Sequence, residues 1–173
     1  MSHPLEALPR SALPVLFVVL TLSTLAVGRA MAARLRTEAA PLGIVSLEFA
    51  GSANKAQSIL DSWTARQKYA ALRSTRLDYA FLVCYSSLLA VGCVWASGGF
   101  QDGWERVGVW LAWAGWGAGA LDAIENVGLL YLLRGRIEDR WARLALGCAV
   151  PKFCIIAAGV FYTLTALVTA LRS

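Results

Sequence analysis

Histidine is almost missing from this chain: the one copy, His3, sits in the N-terminal tail. That alone excludes bis-histidine haem, histidine-ligated zinc hydrolase sites and serine–histidine–aspartate triads. Charge is also scarce, at 16% of residues against about 25% in an ordinary soluble domain. The four cysteines, Cys84, Cys93, Cys148 and Cys154, form no C-x-x-C pair, which removes the usual redox dithiol and leaves small buried hydrophobes as the simpler reading. No internal repeat of solenoid length is visible. Disorder is excluded too, because it requires few apolar residues and much charge.

What the chain has in quantity is oil. Hydrophobic residues make up 58% and mean hydropathy is +0.58, the composition of a membrane protein. A helix needs about 20 apolar residues to cross about 30 Å of hydrocarbon. Four stretches meet or approach that: 11–28, 79–101 between Asp78 and Asp102, 107–133, and 148–171. The expected fold is an all-α, multi-pass integral membrane four-helix bundle, a single domain over 1–173. Small residues at Ala30–Ala33 offer a signal-cleavage site. Cleavage there would export a basic loop, so the first stretch is expected to remain as a span.

Basic residues set the orientation, since loops rich in Lys and Arg stay cytoplasmic. Eight lie between Arg29 and Arg76 and five between Arg134 and Lys152, against Arg10, Arg106 and Arg172 elsewhere. Both termini are therefore expected outside, in what reads as a bacterial cytoplasmic (inner) membrane. The net charge of +5 then points to anionic inner-leaflet lipid as partner. No nucleic acid is implied, because interleaved aromatics in a soluble domain are missing.

The cytoplasmic connection, about 29–77, is too long for a simple turn. After Ser52, a fair N-cap, Ala53, Ala56, Ile59, Leu60 and Trp63 recur at helical spacing. This predicts an amphipathic helix on the inner leaflet, anchored by Trp63 and Tyr69; packing beneath the bundle and running on into the second span is the alternative. Before it, the short apolar run 43–51 carries Glu48. A solvated carboxylate on an amphipathic turn is the simpler expectation, and a re-entrant turn delivering Glu48 to the bundle the other.

The costly residues lie in the third span. A charge at mid-membrane costs about 2.5–3.5 kcal/mol on insertion scales, yet Asp122 and Glu125 stand there beside Asn126. Their i, i+3, i+4 spacing puts all three on one face, which continues through Gly119 and Gly115, a small-xxx-small pair suited to close helix approach. Trp110, Trp113 and Trp116 fall on other sides, suited to lipid or the outer interface. Nine residues inward from Arg76, Arg134 and Arg143 come Tyr85, Glu125 and Lys152, all about 13–14 Å deep at about 1.5 Å per residue. Asp122, Glu125, Asn126, Lys152 and Tyr85 are the candidate ligand-binding residues. A buried Lys152–Glu125 pair would offset desolvation. Alternatively Pro151 opens the fourth helix and Lys152 snorkels at the interface.

An intramembrane acid is a functional hypothesis by default, so the chain is expected to bind or transport a small ligand, lipid head group or proton. A structural polar clasp is the plainer alternative. Two others remain. Exposed Trp- and Gly-rich faces suit an accessory subunit or assembly factor with a partner membrane subunit or a second copy. Asp122 and Glu125 suit a Mg-dependent lipid-modifying enzyme, although the second acidic motif is missing: the nearest further acid, Asp78, reads as a helix-boundary residue near the membrane surface. No resident cofactor or metal site is assigned.

Overall fold

The computed structural model describes residues 2–101 and 103–172, without the side chains of 170–172. Asp102, expected to bound the second span, and the Arg172 side chain, counted with the outer loops, lie outside the described residues. Regular structure among the described residues is entirely helical: a 3-10 turn Pro4–Ala7, then α1 (Ala12–Met31), α2 (Ile44–Glu48), α3 (Ala53–Asp61), α4 (Ala65–Ser97), α5 (Trp104–Leu133) and α6 (Asp139–Arg172). Among the described residues α1, α4, α5 and α6 are long and apolar enough to cross a membrane.

Three boundaries differ from expectation, each for a local reason. The amphipathic run is not one helix. Thr64 starts a new one: its backbone N–H and hydroxyl both donate to the Gln67 side chain at 2.9 Å, and its hydroxyl oxygen accepts the Gln67 N–H. This Thr-x-x-Gln box caps α4, which runs from Ala65 through the second expected span, so Asp78 lies well inside a helix. The third connection is not long. Arg136 N–H donates to Tyr131 O and Gly135 N–H to Leu132 O, both at 3.0 Å, with Gly135 at φ +85°. That is a Schellman stop, and α6 begins almost at once. Finally, Pro151 does not open a helix but sits inside α6. Proline removes one intrahelical bond, yet Cys148, Ala149 and Lys152 around it are buried, and their packing carries the helix through.

The chain forms two compact units. One comprises Met1–Leu25, Val83–Ala120 and Lys152–Ser173; the other Ala26–Leu82 and Leu121–Pro151. In the first, Leu13 and Phe17 of α1 pack with Leu89, Ala90 and Val94 of α4, Ala112 of α5 and Tyr162 of α6. Gly108 makes the approach possible, since a Cβ there would stand 2.9 Å from Cys93 O. The Tyr162 hydroxyl donates to Trp104 O at 2.8 Å.

In the second unit, the apolar side of α3 (Ala56, Ile59, Leu60) packs with Leu47, Leu129, Leu132, Ala142 and Ala145. Trp63 belongs to this core and is no interfacial anchor. It is 3% exposed and its indole N–H donates to Leu35 O at 2.8 Å. Tyr69, its expected companion, is 70% exposed. The start of α3 is held from far along the chain, where Asp139 accepts the Ala53 N–H at 2.7 Å. Gly128 of α5 lies against α6, and a Cβ there would stand 3.0 Å from Trp141 O.

Candidate functional site

Burial along α5 follows one stripe: Ala112, Gly115, Ala118, Gly119, Asp122, Glu125, Asn126, Leu129 and Leu132. Ile124 and Val127, on the other side, are exposed. Asp122, Glu125 and Asn126 therefore lie on the packing face of their helix, at 4%, 1% and 2% exposure. Small residues at Gly115 and Ala118 bring neighbouring backbone close; a Cβ at Gly115 would stand 3.4 Å from Ser86 O.

The second unit brings one further acid to this part of α5. Asn126 Nδ2 donates to Asp78 Oδ2 at 2.6 Å. Tyr79, next to Asp78, donates to Ala123 O. Asp78 is thus a partner of the candidate face and not the boundary residue its position suggested. Glu48, expected to be solvated, is buried at the end of α2. The sequence signal was the apolar company it keeps, above all Leu47, which is fully buried.

Lys152 and Tyr85 belong to the first unit. Lys152 is buried, with Nζ 4.9 Å above the Phe153 ring, and does not snorkel to a water interface. The Tyr85 hydroxyl donates to Ala118 O at 3.3 Å. Among the described residues, no three His, Cys, Asp or Glu side chains converge as metal ligands.

His3, dismissed as tail, is 2% exposed. Its ring lies 4.7 Å from Trp113 and 4.4 Å from Trp116, centroid to centroid. Those two indoles therefore face a protein group, and of the three tryptophans Trp110 is the exposed one. His3 Nδ1 accepts the Leu5 N–H, and Glu6 accepts the His3 N–H, a capping box that fixes the 3-10 turn. Burial lowers the His3 pKa, while the Glu6 charge works to raise it. The H-P-L-E run was the available signal, since His is an unusual cap and only Glu6 gave it away. The chain matches no protein-family model, no curated protein and no solved structure.

Proposed function

We propose that this is a multi-pass membrane protein, a bundle of four spanning helices, whose second unit offers a carboxylate site to a proton or a small cation. Membrane residence is supported by α1, whose Val15, Val18, Val19, Leu22 and Leu25 are each more than half exposed; water would reject that surface and lipid accepts it. The basic connections then face anionic lipid in the cytoplasm, with both termini outside. The observation that carries the site is the stripe of α5, where two carboxylates and an amide stand among the buried positions of a helix that is apolar beyond its first turn. Desolvation of such groups is expensive, and their chemistry suits positive charge.

Thermal unfolding of the detergent-solubilised chain tests it, read across pH 4–9 and with Na⁺, Mg²⁺ or tetraethylammonium added. A ligand bound only by the folded state stabilises it by about 2.7 kcal/mol at a hundredfold excess over Kd. At least one of these conditions should raise the wild-type midpoint, and Asp122→Asn with Glu125→Gln should abolish that rise in a chain that still folds. A wild-type midpoint indifferent to all of them, or an equal rise in the variant, would sink the proposal. The second reading, a structural clasp, is favoured by the Asn126–Asp78 bond; it expects a lower midpoint in the variant and no ligand response in either protein.

A further inference from the structure

Two cavities in the first unit share a junction. One, of about 390 Å³, is lined by Glu6, Arg10, Ser97, Glu105, Arg106 and Trp110. The other, of about 560 Å³, is an apolar groove between α1, α4 and α6, walled by Leu13, Phe17, Trp95, Leu164 and Leu167. Each lies within the roughly 300–1,000 Å³ of small-molecule sites. Arg10 and Gly98 line both. Gly98 lets the guanidinium lie there, because a Cβ at that position would stand 2.9 Å from Arg10 Nη1.

Two basic and two acidic side chains line the polar cavity; of these Glu105 and Arg106 pair, at 3.9 Å and largely in solvent. Arg10 forms no ion pair among the described residues. Glu6 accepts the His3 N–H. Glu105 accepts the Gly103 N–H at 2.9 Å and stands 3.9 Å from an exposed Arg106. A cation, Arg10, and carboxylates that line one cavity and do not meet it suit a ligand carrying both signs. The groove continues from Arg10 along the start of α1, where Ala12 to Phe17 spans about 8 Å at 1.5 Å rise per residue, the depth of the upper part of an acyl chain.

We propose that the first unit holds one phospholipid with a zwitterionic, primary-amine head group. Its phosphate sits at Arg10, its ammonium between Glu6 and Glu105, and one acyl chain in the groove. A primary ammonium offers three donors to those carboxylates, which a quaternary amine lacks; an anionic head without an amine, such as phosphoglycerol, gains nothing from them. The inference rests on the membrane reading above, and flotation with vesicles tests that reading separately. A chain that fails to float removes both; one that floats and retains no such lipid removes this one alone.

The experiment uses the full chain, reconstituted in vesicles of equal phosphatidylethanolamine, phosphatidylcholine and phosphatidylglycerol. The protein is extracted in mild detergent and its retained lipid counted by native mass spectrometry. One phosphatidylethanolamine per chain is expected. R10Q should lower its retention about tenfold. E6Q, which keeps the cap on the His3 N–H, should shift preference toward phosphatidylglycerol. L167W, at a position more than half exposed and so tolerant of size, should fill the groove and lower retention of every lipid. Equal retention of the three classes, a wild-type preference for phosphatidylglycerol, or R10Q retaining lipid like wild type would overturn the proposal. So would a lipid-free dimer that L167W dissociates, which would make the groove a self-association face.

Discussion

Replacing Trp63 with Phe separates a core residue from a membrane anchor. The indole N–H satisfies Leu35 O in a site almost closed to solvent. Phe leaves that carbonyl buried and unsatisfied, at about 1–3 kcal/mol. The smaller ring also leaves a void beside Ile59 and Leu60 of the same core, at about 24 cal/mol per Å³. Together the loss is roughly 2–4 kcal/mol. At about 2–4 °C per kcal/mol for a chain of this length, the unfolding midpoint should fall by roughly 4–16 °C. Differential scanning of the solubilised protein measures this directly. Tyr69→Leu, at an exposed position, is the control and should leave the midpoint in place. The reasoning fails if the two substitutions are equivalent, or if W63F unfolds within a degree of wild type and instead loosens vesicle binding.

Other expectations follow from the same geometry. Because His3 is the sole histidine, its ring titrates alone in an NMR spectrum. Burial holds its pKa below the ordinary 6.5, so the unfolded segment takes up protons before the folded one. The stability this contributes is complete above about pH 6.5 and is lost as the pH falls through the folded value; a ring titrating at or above 6.5 would contradict the burial. Gly128→Val forces a side chain against Trp141 O and should cost about 1–3 kcal/mol. Gly117→Ala, with open space around it, should be neutral or stabilising by up to about 1 kcal/mol; scanning calorimetry of the pair checks the α5–α6 approach. Thr64→Ala removes the α4 cap and should cost about 0.5–2 kcal/mol, with faster hydrogen exchange confined to the first turn.

Much of this was legible in the chain, for definite reasons. The four long helices follow from runs of apolar residues, and α1 departs from its expected span by only a few residues at its end. The buried face of α5 was readable because an i, i+3, i+4 set of polar groups and a Gly-xxx-Gly spacing fall on the same side. Composition hides what short-range capping decides. The Thr64–Gln67 box splits a run whose hydrophobic period continues through it, and the Gly135 stop shortens a connection that only looks long because its helix starts with Asp-Arg-Trp-Ala-Arg. Trp63 and Glu48 were misplaced for a related reason. An amphipathic segment looks the same from its sequence whether its apolar side meets lipid or other helices, and here it meets Leu129, Leu132 and Ala145. Asp78 was missed because its partner, Asn126, lies on another helix.

One helix stands apart in what it asks of its side chains. Of the twenty residues of α1, Leu13 alone is buried. Almost any greasy substitution along its outward faces should therefore pass unnoticed, whereas α5 must keep glycine, alanine and acid in fixed register. Given evolutionary time, the first helix is free to drift in spelling while holding its character, and the third long helix is free to do neither.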